Sequence, residues 1–424
     1  MDSEEMLSLF KALISNSLGF GDDDPWEVTE AWLEDPGNGS RGELHVRVDK
    51  RDGAILKCPV CGCDAGIHDH KDHSWRHLDL WELRTYVHCR VPRTDCDQCG
   101  VKQLRMPWES RKGEHWTTGM EARVLRGAQR STTRCVAEMV GEDDARLWGL
   151  IRRAVDQALE TADYSQVTRV GLDETSKARG QSYISTMMDL DGRRVVAVED
   201  GRDKTVVDKL LKQMEAHGGS RKAVTDVTRD MSDSFGSGVR QCMPEAHQTI
   251  DKFHVIQLFT KEIDKVRCAE RRESEEKDAL LKGTKYVWLK GQENLTEKQA
   301  AKREELAPNK SHLKTARACQ MMEGMRDVYL CGTRDEAEAK LVRLCSWMTH
   351  SNVPNMKKVA RTLRDNWNDI LNWWGSRLTN AYLEGSNSLI QSMKRASRGF
   401  RNVEYYKAMI FLRMGKLDFA ALAT

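Results

Sequence analysis

Thr168-Arg169-Val170-Gly171-Leu172-Asp173-Glu174 is the stretch on which the reading of this chain turns. Its first five residues have the short apolar pattern of a buried strand, and the strand ends in an acid. Downstream, Ser182–Leu190 and Arg193–Val198 flank Asp191-Gly192, a two-residue hairpin signal. Thr205–Met214 repeats apolar residues at helical spacing, with Val206, Val207, Leu210, Leu211 and Met214 on one face. Ala223–Asp230 alternates like a strand and again closes on an acid. Gln248-Thr249-Ile250 is a third short strand, running into Asp251-Lys252-Phe253-His254.

Three antiparallel strands followed by strands that alternate with helices is the order of an RNase H-like α/β core. In that order the first and fourth strands are neighbours, so Asp173 and Asp230 are expected to face one another. A third acid lies far along the chain, in Thr379-Asn380-Ala381-Tyr382-Leu383-Glu384-Gly385-Ser386-Asn387. Helical spacing puts Glu384, Asn387, Ser388, Gln391, Arg395 and Arg398 on one face and Leu383, Leu389, Ile390 and Met393 on the other. Acids at two strand ends plus one on a packed helix can hold two Mg²⁺ ions, or Mn²⁺ as a substitute, against a phosphodiester. On this reading Asp173 bridges both ions, Asp230 holds one and Glu384 the other. Asp226 shares a strand face with Asp230 and competes for its role. Glu174 points away from Asp173, and Asp251 and His254 are candidates for a supporting layer.

The stretch from Thr260 to Gly375 reads as a helical insertion between the second and third acids, and Thr296 with Gln299 forms a capping-box pattern. Trp288, Trp373 and Trp374 fit either a helical core or a surface that stacks on distorted DNA. Lys357, Arg361 and Arg364 are candidates for its path.

Upstream, Cys58-Pro59-Val60-Cys61-Gly62 and Cys96-Asp97-Gln98-Cys99-Gly100 are paired knuckles with the spacing of a four-sulfur Zn²⁺ site. His68, His70, His73 and His77, with Cys63 and Cys89, lie between the knuckles as alternative ligands or as solvated or DNA-facing groups. The remaining cysteines are scattered and read as buried thiols. From Lys102 to Arg134 eight basic residues stand against three acids. A short helix then ends at Gly141, and Leu147, Leu150, Ile151, Ala154 and Val155 stripe a second. That pair reads as a helix-turn-helix, with Arg126, Arg130, Arg134, Arg146, Arg152 and Arg153 as DNA contacts and Trp148 beside them; a plain packing helix is the competing reading. The second helix starts with Glu142, Asp143 and Asp144, which suit its dipole and repel phosphate. Seven basic residues from Lys394 to Lys416, against Glu404 alone, form a second cationic tract, of which Lys394, Arg395, Arg398 and Arg401 are the expected contacts.

With 424 residues and a formal net charge of +2, the chain has room for several domains and must concentrate its basic residues in patches to bind a polyanion. The expected divisions are a small α/β region over 1–55, a zinc ribbon over 56–108, a helix-turn-helix over 109–165, the first part of the core over 166–259, the helical insertion over 260–375, and the last part of the core with a basic tail over 376–424. The fold class is multidomain α+β. The segment Leu7–Leu18 is amphipathic, for packing or self-association. No membrane span or signal peptide is expected.

In this order the motifs resemble those of bacterial insertion-sequence transposases of the ISL-three type, members of the DDE superfamily. The resemblance spans the knuckles, Trp75-Arg76-His77-Leu78-Asp79, Gly171-Leu172-Asp173-Glu174, Asp230-Met231-Ser232, Asp251-Lys252-Phe253-His254, Thr379-Asn380 through Asn387, and Gly399-Phe400-Arg401-Asn402. It implies Mg²⁺-dependent cleavage and strand transfer at the terminal inverted repeats of double-stranded DNA, with Asp173, Asp230 and Glu384 as the catalytic triad. It also implies a homodimer or larger assembly on DNA, in a bacterial cytoplasm and associated with the nucleoid. Ala381 stands where the family more often has Gly. A DNA-binding repressor that has lost catalysis, and a nuclease without strand transfer, are the competing functions.

Overall fold

The computed structural model describes residues 3–35, 37, 42–109, 115–178, 182–376, 381–400 and 402–419, with the side chains of 3, 4, 178, 309, 310, 381, 382 and 384 outside that description. The chain forms two compact units, Met1–Ala162 with Asn402–Thr424, and Asp163–Arg401.

The first unit opens with helix α1 (Ser3–Ser17), followed by strands β1 (Trp26–Glu34), β2 (Glu43–Lys50), β3 (Leu56–Lys57), β4 (Asp64–Leu80), β5 (Leu83–Cys96) and β6 (Gly100–Gln103). They make one sheet in the order β1-β2-β5-β4-β3, with β6 on the other part of β5. Because β2 runs parallel to β5 from Glu43↔Arg84 to Arg47↔His88, the expected 1–55 and 56–108 regions share a sheet and are not separate domains. The sequence hides this, since parallel neighbours far apart in the chain leave no local turn signal. The inner face buries Val46, Val48, Trp75, Val87 and Val91, and Ile14 and Leu18 of α1 join the same core. Trp108 sits at its centre, with ring centroids 5.6 Å from Trp75 and 5.7 Å from Phe20.

Three helices follow, α2 (Thr118–Arg130), α3 (Thr133–Val140) and α4 (Asp144–Glu160). Thr117, Thr132 and Asp143 cap them by accepting backbone N–H groups. Gly141 ends α3 at φ 66°, a left-handed conformation that calls for glycine. The helix Val403–Met414 packs on α2 and α4. Its Arg413 donates to the carbonyls of Ala128 (3.0 Å) and Ser131. The expected 376–424 segment therefore divides near 401, because Tyr406, Met409 and Ile410 find their apolar partners in this unit.

In the second unit β7 (Arg169–Ala178), β8 (Ser182–Asp189) and β9 (Arg194–Asp200) form an antiparallel meander. After α5 (Val206–Ala216), β10 (Asp226–Arg229) adds parallel to β7; after α6 (Asp233–Cys242), β11 (His247–Ile250) adds parallel to β10. The sheet order is β11-β10-β7-β8-β9. The strand expected to stop at Leu172 continues to Ala178, so Asp173 lies within it. From α7 (Lys252–Glu270) to Ser376 the described chain is a run of helices with its own core, which includes Phe259, Met321, Met322, Met325 and Leu363. Thr296 and Gln299 form the expected capping box. Trp288, Trp373 and Trp374 are buried in this core and do not form a DNA-stacking surface.

Candidate active site and zinc centre

Register determines where the first two acids sit. Val227 pairs with Val170 and Thr228 with Gly171 in parallel strands. Continued by two residues, that register brings Asp230 level with Asp173. Asp230 directly follows β10, and Asp251 directly follows β11, so both stand where parallel strands end and ligands commonly bind. Asp230 Oδ1 accepts the Ser232 N–H at 2.8 Å, and Asp251 Oδ1 accepts the Phe253 N–H at 3.1 Å as the cap of α7.

Asp173 is 5% exposed. Burial pushes its carboxyl up to about 7, and the charges of Asp230, Asp251 and Glu174 act in the same direction. The Glu174 N–H, 2.7 Å from Oδ1, partly opposes them. Glu174 is also raised, by burial first and by Asp230 next. It is half-buried and feels the same field, although its side chain leaves the opposite face of the strand. Acids whose charges raise the Asp173 carboxyl in this way make a hard-oxygen environment that a divalent cation relieves.

The helix Ala381–Ala396 carries the third acid and is docked on β7 by three specific contacts. Asn387 donates from Nδ2 to Asp173 Oδ2 and accepts from Thr175 Oγ1 at 2.8 Å. Lys394 donates to the Ser176 carbonyl. Leu383 packs so closely on Gly171 that a Cβ there would lie 2.6 Å from it, which explains a glycine inside a buried strand. Glu384 precedes Asn387 by three residues; its side chain lies outside the described residues.

Beneath Asp230 lies a buried guanidinium that the sequence reading did not single out. Arg229 donates to the Asp230 carbonyl (2.8 Å), to Gln248 Oε1 (3.0 Å) and to Asp369 Oδ2 (2.6 Å). Asp369 belongs to the helical segment, so that segment supplies the counter-charge for the loop bearing the second acid. Neither Arg229 nor Asp369 is marked by a motif; only the juxtaposition in space reveals them.

In the first unit the Sγ atoms of Cys58, Cys61, Cys96 and Cys99 all lie within 4.8 Å of one another. Cys61 and Cys96 are 3.5 Å apart, and backbone N–H groups of Cys61 and Val60 draw the Cys58 thiol down to about 7. Four sulfurs at this spacing fit a tetrahedral Zn²⁺. Among the described residues this is the group of three or more ligand-bearing side chains within such reach. Asp173 and Asp230 supply only two members of the other proposed site. His77 is buried and held neutral, at about 4, by burial; it bonds Thr117 Oγ1 at 2.8 Å and serves the core.

The expected DNA contacts separate by environment. Arg126 and Arg130 are exposed on α2. Arg134 pairs with Glu138 at 3.1 Å, Arg152 is exposed with Asp156 at 3.8 Å, and Arg153 is half-buried. Arg146 is tied to Glu142 at 2.6 Å and lies over the Trp116 ring. Glu142 also faces buried Arg76 at 3.5 Å, so internal partners take up part of the acidic start of α4. Trp148 stacks on Tyr405 at 4.6 Å and is a packing residue, not an open DNA contact. Arg395 and Arg398 are exposed, and Arg401 lies outside the described residues. Lys407 and Arg413 belong with the first unit, so the cationic tract is not one surface of the core.

Residues 170–410 match the family pattern described as a transposase of the DDE class, ISL3 type, and residues 56–99 match the zinc finger of transposases IS204, IS1001, IS1096 and IS1165. The chain is 26% identical to the transposase for insertion sequence element IS1557 of Mycobacterium tuberculosis, over 96% of this chain and 95% of that protein. It is 23% identical to the transposase for insertion sequence element IS1001 of Bordetella parapertussis, over 88% of this chain and 91% of that protein. Among the described residues no helix is long and apolar enough to cross a membrane.

Proposed function

The chain belongs to the ISL3 family of DDE transposases, and from that premise we propose that it binds the terminal inverted repeats of its own insertion sequence, cleaves there and transfers the freed ends to target DNA. The five-stranded order β11-β10-β7-β8-β9 supports an RNase H-like core. The observation that carries the reading is the buried Asp173 carboxylate, gripped by Asn387 of the helix that bears Glu384 and surrounded by the charges of Asp230 and Asp251.

Asp173, Asp230 and Glu384 would hold two Mg²⁺ ions. Those ions, when bound, supply Lewis-acid activation of a nucleophilic oxygen and stabilisation of the leaving 3′ oxygen. The chain's own part is positional. Asn387 and the Glu174 N–H orient the two Asp173 oxygens, and Arg229 fixes the loop of Asp230. The zinc ribbon and the helices α2 to α4, read as a helix-turn-helix bundle, grip duplex DNA through Arg126, Arg130, Arg134, Arg152 and neighbouring cations. Holding two DNA ends requires two or more copies, acting in the cytoplasm on nucleoid DNA.

The test is incubation with labelled terminal-repeat duplex and Mg²⁺, followed by separation of cleaved and joined products. Cleavage and joining are expected from the native chain. Asp173→Asn, Asp230→Asn and Glu384→Gln should each bind the repeat and fail to cut it. Near-native cutting by any of them removes that residue from the triad.

A further inference from the structure

The outer face of the first unit's sheet carries a second arrangement of side chains that the cleavage site does not use. Strand register aligns Trp32 of β1 with His45 of β2, His45 with Tyr86 of β5, and Tyr86 with Arg76 of β4. These planar groups stack in series. Trp32 lies 5.2 Å from His45 at 14°, His45 lies 5.3 Å from Tyr86 at 16°, and the Arg76 guanidinium lies 5.6 Å from the Tyr86 centroid. The neighbouring row places Arg47 opposite His88, with Trp32 stacked on His88 at 5.4 Å.

Beside this ladder a cavity of about 640 Å³ opens, lined by Trp32, His88, His73 and His115, with Arg47 and Arg90 among its polar groups. His73 and His115 are themselves stacked, 5.1 Å apart at 14°. Asp72 is the one carboxylate among the described lining residues. The volume falls within the range of sites that enclose small ligands, about 300–1,000 Å³. Planar rings offer a π-face to a flat guest, and exposed guanidiniums suit phosphate. Burial, followed by the His45 and Arg47 charges, lowers the His88 pKa. Among the described residues only the four cysteines gather as a metal-binding group of three or more, so this histidine cluster is not such a site. Paired bases in a duplex keep their faces stacked away from any protein ring. An unpaired base does not.

We propose that this pocket binds single-stranded DNA, taking one unstacked base against its lining rings while Arg47 and Arg90 hold the flanking phosphates. A transposase has use for such a grip at a frayed or cut element end, but the binding needs neither magnesium nor the acidic site.

The test is fluorescence anisotropy of a short labelled oligodeoxythymidylate with the full zinc-loaded chain, without magnesium, against an unlabelled duplex lacking the terminal repeat. Trp32→Ala should weaken single-strand binding about tenfold or more, and Trp32→Phe should restore most of it. Arg47→Ala and Arg90→Ala change exposed side chains and should each weaken binding and flatten its dependence on salt. A 5-iododeoxyuridine oligonucleotide should photocrosslink to Trp32, His88 or His115. The proposal is overturned if the alanine variants bind like the native chain, if the duplex competes as well as unlabelled oligonucleotide, or if crosslinks fall only outside the pocket. Asp173→Asn should bind the oligonucleotide like the native chain, so failure of the cleavage reading and failure of this one give different results.

Discussion

Asn387 donates its side-chain amide to the Asp173 carboxylate while its carbonyl oxygen accepts from Thr175 Oγ1. A single residue thus joins the strand of the first acid to the helix of the third. Asn387→Ala should leave repeat binding unchanged and lower the cleavage rate about 10–100-fold, the range seen when a residue supporting metal ligands is removed. Asn387→Gln, which keeps the amide at a different reach, should recover little. Measuring cleavage at saturating DNA and magnesium decides the matter, and an unchanged rate would show that Asp173 orients without help.

The elevated Asp173 carboxyl has a sign that can be worked out. Its folded value of about 7 lies above its ordinary value of 3.8, so the folded state binds more protons than the unfolded state between those limits. Without divalent ions, stability therefore falls as pH rises from about 4 to about 7, by at most ~1.4 kcal/mol per pH unit from this group. Asp173→Asn should lose that part of the dependence in urea titrations across the range. Mg²⁺ should raise the native chain's melting temperature at pH 7.5 more than the variant's.

Removing zinc should act on the first unit. The knuckles close the end of the sheet formed by β3 to β6, where Cys58 and Cys96 are buried. Chelation or Cys61→Ser should lower the melting transition of this unit and abolish repeat binding. The native chain should carry one zinc per molecule by elemental analysis.

The Arg229–Asp369 pair should be costly to break from one side. The Arg229 side chain is 2% exposed, and Asp369 is the carboxylate that offsets its charge. Asp369→Ala should destabilise the chain by about 3–5 kcal/mol in urea unfolding, since it strands a buried cation. Arg229→Met combined with Asp369→Leu should cost less than Asp369→Ala alone. That double variant should still cut DNA slowly, because the Asp230 loop loses its anchoring donor.

What the sequence revealed follows the range of each signal. Strands with local turn chemistry, such as the Asp191-Gly192 hairpin, and helices with apolar stripes, such as α4, announce themselves. So do cysteines whose spacing matches one ion. Pairings between distant segments do not. The parallel contact of β2 with β5 has no local mark, and neither does the return of Val403–Met414 to the first unit. The acids were legible because each stands in a short, distinctive stretch and the stretches follow one another in a recognisable order. Arg229 and Asp369 were not, since 140 residues separate them and neither stands in a motif. Trp148 was ambiguous because an aromatic beside arginines looks the same in one dimension whether its partner is a base or Tyr405.

The helix Val403–Met414 completes a core whose other members are translated before residue 163. On the ribosome the early unit must wait, with α2 and α4 uncovered, while the whole of the later unit emerges and folds. A message truncated near codon 400 would then yield a protein with a finished acidic sheet and an unfinished first unit.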